Sequence, residues 1–185
     1  SEKLAAPLGE RLVLGSPVRA IEQDGEGVTV RAERRELRAK RAIVALAPAL
    51  ADRVEMTVPP MRGQLAQRMP MGSVIKCIVV YERAFWRERG LSGEAVCDVG
   101  PVRLVFDDSA HDGSQAALVA FLLGSTARAW SGRDPEERES AVLAALARLF
   151  GEEASRPIAY AGQDWIAETY SLGCYVGLMP PGVMT

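Results

Sequence analysis

One histidine, His111, and three cysteines at wide, unpatterned spacing, Cys77, Cys97 and Cys174, are all the imidazole and thiol groups that 185 residues provide. Zinc-type sites draw four ligands from closely spaced Cys and His pairs, so a metal centre of that kind is excluded. The odd number of cysteines points to free thiols in a reducing compartment, the cytoplasm. The histidine stands in the polar turn "DDSAHDGS", which leaves no paired nucleophile and base, and His111 reads as a solvated loop residue. Charge of one sign is also missing: 22 basic residues are interleaved with 24 acidic ones, without the basic stripe that a nucleic acid requires. The longest apolar run, "AALVAFLLG" from Ala116 to Gly124, is about half the ~20 residues that cross a bilayer. The N-terminus carries no basic-plus-apolar leader. A phosphate-cradling loop is absent too, because the "GEG" at Gly25 to Gly27 lacks a third glycine and does not open a helix. There is no internal repeat and no low-complexity tract.

What is present reads as an α+β chain. The pieces "RLVLGSPVRAIEQD", "EGVTVRAER" and "ELRAKRAIVALAP" alternate with strand period and predict a small antiparallel meander, with "RAIVAL" as a buried strand. Pro59-Pro60 breaks the chain and places a boundary near Val58. One short helix in "MRGQLAQRMPMG" then precedes "SVIKCIVVYE", whose apolar length suits the middle of a sheet. Two strands follow in "FWRERGLSGEAVCDVGPVRLVFDDS", "QAALVAFLLG" adds one apolar on both faces, and "PIAYAGQDW" a last one. Hairpin-length breaks make the sheet mostly antiparallel. The clearest helix is "RDPEERESAVLAALARLFG", with Asp134 as cap, Pro135 and Glu137 in the first turn and Gly151 as stop. Its Val142, Leu143, Leu146 and Phe150 recur at helical spacing, so one face packs on the sheet.

Two features resist a purely structural reading. Lys76 interrupts an apolar strand, where a buried ammonium needs a partner or a wet cavity; a strand-end lysine facing solvent is the alternative. Trp165, Tyr170, Cys174 and Tyr175 cluster beside Gly173, as core aromatics do and as a ligand site does. Cys174 alone reads as an inert thiol.

The segments "LGERLVLGSPVRAI", "RMPMGSVIKCIVVYERAFWRERGLSG", "FDDSAHDG" and "DWIAETYSLGCYVGLMPPGVMT" together resemble the flavin-dependent monoamine oxidases, in order and spacing, from about Gly9 to Thr185. The resemblance implies an α+β fold: a mixed, mostly antiparallel sheet flanked by helices, with a partial meander from an FAD-binding domain. Residues 1–57 would belong to that FAD-binding domain, 58–181 to a substrate domain, and 182–185 to the start of the return. It implies that Lys76 holds a water against the flavin, that Trp165 packs on the isoalloxazine ring, and that Cys174 bonds to the flavin as a thioether. Tyr175 would form one wall of an aromatic cage whose second tyrosine lies past Thr185. Val96, Leu104 and Phe121 would line the substrate cavity, and the Val18 backbone would meet the adenine of FAD.

The implied reaction is oxidative deamination of a primary amine by FAD and oxygen to an aldehyde, ammonia and hydrogen peroxide. The glycine-rich FAD fold is not in this sequence, which therefore resembles the interior of a longer oxidase, itself inactive as a fragment; association with a second copy stays open. A polyamine or L-amino-acid oxidase of the same superfamily is an alternative kept open by Glu94 and Arg103, and a non-catalytic binding module is another.

Overall fold

The computed structural model describes residues 1–182; the remainder of the expected return segment, 183–185, lies outside the described residues. The chain forms two compact units, one made of Ser1–Pro70 with the segment from Met179 onward, the other of Met71–Leu178.

The first unit opens with a one-turn helix α1 (Glu2–Ala5), then the expected meander of β1 (Val18–Gln23), β2 (Val28–Ala32) and β3 (Arg35–Ala39). Asp24 shapes the first turn by accepting from the backbone N–H of Glu26 and Gly27 at 2.8 and 2.9 Å. Gly27 cannot be larger, since a Cβ there would lie 2.5 Å from the Ala39 carbonyl oxygen. Helix α2 (Pro48–Ala51) leads to β4 (Glu55–Met56), which pairs parallel with β1 and makes the sheet mixed, in the order β3-β2-β1-β4. Pro60 then opens α3 (Pro60–Arg68) from the first helical position, where its missing N–H costs nothing. Helix α3 groups with this unit.

The run "RAIVAL" departs from expectation. Residues 41–46 form no strand, and Ile43 is 95% exposed. A strand apolar on both faces needs paired neighbours and a covering layer on each side. The open edge of β1 is taken instead by β4. Among the described residues of this unit Ala20, Val28 and Val54 are the buried apolar side chains, a small core.

The second unit is built on five antiparallel strands in the order β6-β7-β8-β5-β9. They are β5 (Val74–Tyr81), β6 (Ala95–Val96), β7 (Leu104–Asp107), β8 (Ala116–Leu123) and β9 (Ala159–Asp164), with a short helix α4 (Phe85–Glu88) after β5. As its apolar length suggested, β5 lies between two strands, β8 and β9. Helix α5 (Gly124–Trp130), unannounced in the sequence because seven residues carry too little period, leads to α6 (Pro135–Phe150). Asp134 caps α6 by accepting from the N–H of Glu136 and Glu137 at 2.8 and 3.3 Å, and Gly151 ends it at φ 92°.

Val142, Ala145, Leu146 and Phe150 of α6 pack on one face of the sheet, against Ile75, Cys77, Val79, Leu118, Ala120 and Leu122. Each large apolar side chain buried there contributes about 1.5–3 kcal/mol. Tyr81, Phe85 and Trp86 add three edge-to-face ring contacts at 5.0–5.7 Å, and the Tyr81 hydroxyl donates to the Ala154 carbonyl at 2.9 Å.

Asp107 fastens α4 to the end of β7. Its Oδ2 accepts from Trp86 Nε1 at 2.8 Å and Arg87 Nε at 2.6 Å, and its Oδ1 from the Ser109 N–H at 2.9 Å. Burial pushes this carboxyl pKa up, but the bonds from Arg87, Ser109 and Trp86 outweigh it and hold the group well below the usual carboxylate range. A folded pKa below the unfolded value of ~3.9 contributes stability that is fully present above ~3.9 and is lost as pH falls through the folded value. Urea unfolding should therefore lose more stability between pH 5 and 2 in the wild type than in Asp107→Asn; equal losses would mean the carboxylate carries none of the acid sensitivity.

Candidate functional site

Cα partners run across the sheet from Val96 to Leu104, Phe121, Lys76 and Gln163 in one row. Facing partners in antiparallel strands point to the same side, so these five side chains share a face. Their sequence neighbours Ala95, Val105, Ala120, Ile75, Cys77 and Asp164 point the other way, toward α6. Lys76 is thus neither at a strand end nor in the helix-side core. It is half-buried near the middle of the opposite face, where Val74, Val119 and Phe121 form an apolar cluster with Ile78, Leu104, Leu123 and Cys174 packed against it.

The loop carrying Cys174 is latched to the residues that enter β5. The Cys174 N–H donates to the Gly72 carbonyl at 2.8 Å, the Gly72 N–H donates to the Val176 carbonyl at 3.1 Å, and Met71 bridges to Gly177. Both glycines are required by close approach. A Cβ on Gly72 would run into the Cys174 carbonyl oxygen, and one on Gly173, at φ 134°, would stand 2.6 Å from the Met71 Cβ and against the Gly72 carbonyl. The peptide between Cys174 and Tyr175 is cis. The Tyr175 ring meets Phe121 at 6.0 Å and 62° while 61% of the residue stays exposed. Burial pushes the Cys174 thiol pKa up, opposed by the charge of Lys76.

Trp165 follows β9, and its N–H donates to the Val74 carbonyl at 3.2 Å, which continues the alternation and sets the half-buried indole on the same face as Lys76. Tyr170 is 64% exposed, so the aromatic cluster of the tail is not a packed core. Val96, at the row's outer end, is 87% exposed. Val18 begins β1 in the other unit, half-buried.

Two residues on this face escaped the sequence reading. Phe106, two positions after Leu104, shares its side and stacks edge-on to Phe121 at 6.0 Å and 69°, so three rings run from Phe106 through Phe121 to Tyr175. Strand alternation from Leu104 would have found it. Gln163 is the direct partner of Lys76, two positions before Trp165. Arg103, in contrast, donates to Thr126 Oγ1 at 2.9 Å and to the Asp98 carbonyl at 3.1 Å, and Glu94 is exposed. His111 is exposed in its turn. The other thiols lie elsewhere: Cys77 is buried and accepts from the Tyr160 hydroxyl at 3.1 Å, and Cys97 is half-buried. Among the described residues no group of three or more His, Cys, Asp or Glu side chains could hold a metal ion, and no helix is long and apolar enough to cross a membrane.

Residues 1–184 match the family described as flavin containing amine oxidoreductase. A probable flavin-containing monoamine oxidase A of Dictyostelium discoideum is 43% identical over all of this chain, which covers 41% of that protein. An L-amino acid dehydrogenase of Synechocystis is 40% identical, again over the whole chain and 40% of its own length. The solved structure of wild-type putrescine oxidase bound to putrescine superposes with a TM-score of 0.89 at 34% identity, over 99% of this chain and 41% of that one. The chain thus spans about two fifths of these relatives.

Replacing Gly72 by alanine should break the latch while leaving the helix-side core intact. Amide hydrogen exchange at Cys174 is expected to accelerate about 10- to 100-fold, the counterpart of about 1–3 kcal/mol of local stability; exchange at the wild-type rate would show that the loop absorbs a methyl group there.

Proposed function

The chain belongs to the flavin containing amine oxidoreductases, and from that premise we propose that it supplies the substrate-side wall of an FAD-dependent oxidase that deaminates a primary amine to an aldehyde, ammonia and hydrogen peroxide. The observation that carries this reading is the shared face: Lys76, Phe121 and Leu104 in one register row, with Cys174 and Tyr175 latched above Phe121.

The residues suit a flavin. A flat, mostly apolar surface accepts a fused planar ring, the half-buried indole of Trp165 offers a stacking partner, and a thiol and an ammonium stand on the same side. Within this reading Cys174 Sγ is the attachment point, Trp165 packs on the ring system, and the Val18 backbone meets the adenine. Residues 1–57 then belong to the FAD-binding domain, 58–181 to the substrate domain, and 182 onward to the return. When bound, the flavin accepts two electrons from the bond between hydrogen and the carbon beside the amine, and oxygen carries them off as peroxide.

This chain's own residues supply orientation and desolvation. Phe121 and Leu104 would exclude water from the amine, Val96 would line the outer end of its cavity, and the Tyr175 ring face would orient its nitrogen. Apolar walls penalise an ammonium and favour the neutral amine, whose lone pair assists loss of the neighbouring hydrogen. The Lys76 ammonium would hold a water beside the cofactor by donating a hydrogen bond to it, and so assist its reoxidation by oxygen. The resulting imine hydrolyses in water to the aldehyde.

A monoamine is favoured over a diamine or an amino acid. The row bears no carboxylate to hold a second ammonium, and the Arg103 guanidinium is engaged by Thr126 and Asp98. The three free thiols accord with the cytoplasm. Holding only one side of the cofactor, the 185 residues by themselves should not turn over. A module that folds and binds without flavin is the competing reading.

The deciding experiment is the intact mass of the full-length protein before and after denaturation. An excess of one FAD that survives denaturation and disappears in Cys174→Ala is expected; a covalent flavin retained in that variant overturns the role of Cys174, and no flavin at all overturns the oxidase reading. In stopped flow, Lys76→Met should slow reoxidation of the reduced protein by oxygen more than its reduction by amine, and the opposite order would remove Lys76 from its place.

A further inference from the structure

Arg138 is the one buried charged residue among the described residues, 7% exposed, and it sits on α6 among Val142, Ala145 and Leu146. Nothing in the amine reaction needs a cation on that side of the sheet. Its Nη1 lies 3.9 Å from Asp164 Oδ2 and 3.5 Å from the Trp130 carbonyl, and its Nε has no hydrogen-bond partner. A leucine or methionine would fill such a position without desolvating a charge, and exchanging a buried ion pair for apolar residues is often neutral or stabilising. The arginine therefore calls for a reason other than stability.

Asp164 supplies one. It ends β9, with a side chain only 10% exposed, and pairs with Ile75, so its carboxylate points toward the helices while the next residue, Trp165, points to the opposite face. That carboxylate is a hub. Oδ1 accepts from the N–H of Ile166 at 3.0 Å and of Ala167 at 3.4 Å, and Oδ2 from the Gly132 N–H at 3.3 Å. Trp165 lies inside the turn that these bonds close, and its own N–H is held by the Val74 carbonyl.

We propose that the buried Arg138–Asp164 pair is a positioning device for Trp165: the guanidinium on α6 holds the Asp164 carboxylate in place, the carboxylate closes the turn, and the turn fixes the indole on the far side of the sheet. This deepens the reading of Trp165 as the flavin-packing residue and rests on it. Arg138 and Asp164 touch neither cofactor nor substrate, and act only through the tryptophan.

The test uses full-length flavoprotein labelled with 5-fluorotryptophan, with the Trp165 fluorine resonance assigned by Trp165→Phe. Asp164→Asn keeps an oxygen to accept from Ile166 and Ala167 but removes the charge, and Arg138→Met removes the other partner at similar length. Each should shift or broaden the Trp165 resonance and leave that of Trp86 in place, and Arg138→Lys should return it toward the wild-type position. The double variant Arg138→Met/Asp164→Asn leaves no unpaired buried charge and carries the test if a single variant fails to fold. A Trp165 resonance unmoved in the folded variants overturns the proposal. The flavin absorption bands separate the two readings: a moved indole with unmoved bands upholds the positioning pair and removes Trp165 from the flavin.

Discussion

Between Val74 and Tyr81, pairing to β8 on one side and β9 on the other decides which way every second side chain points. Odd-numbered residues of β5 meet α6 and form the core; even-numbered ones, Lys76 among them, face away from it. A slip of one residue would exchange the two sets, putting an ammonium into the core and Cys77 onto the site. The dense packing of Ile75, Val79 and Tyr81 against Leu118, Leu122, Val142 and Leu146 prevents that slip, so apolar burial on one side of the sheet fixes the arrangement of side chains on the other.

Electrostatics follows the same division. On the helix side the Tyr81 hydroxyl is paired with the Ala154 carbonyl and the Tyr160 hydroxyl with Cys77, while the buried Arg138 is only partly paired. The other side gathers a cation, a thiol and the aromatic side chains of Phe106, Phe121, Trp165 and Tyr175 in an apolar setting. Burial alone favours the neutral thiol at Cys174 and the Lys76 charge favours its anion, which makes that sulfur sensitive to whatever closes the surface above it.

Much of this was legible in the residues. The cap and stop of α6 are set by Asp134, Pro135 and Gly151 within a few positions, and β5 and β8 announce themselves by apolar runs bounded by turns. Other features depend on partners distant in sequence. The run at 41–46 has a strand's composition but finds no pairing, β4 joins β1 in parallel through only two residues, and α5 is too short to show a period. The candidate site is legible in a different way. Lys76 stands out as a charge in an apolar strand, Cys174 reads by pattern alone as an ordinary thiol and draws its proposed role only from a resemblance, and Phe106 and Gln163 need the strand register.

The contact between Gly72 and Gly173 ties the cysteine loop to the chain only a few residues before Lys76. Because the loop is clamped at Gly72 and the lysine's direction is counted along the strand from there, Cys174 and Lys76 share one reference point on the backbone. An insertion or deletion of a single residue between Gly72 and Lys76 would leave Cys174 where it is and turn the lysine through the sheet. The spacing in "GSVIK" is in this sense a ruler, in which the number of residues matters as much as their identity.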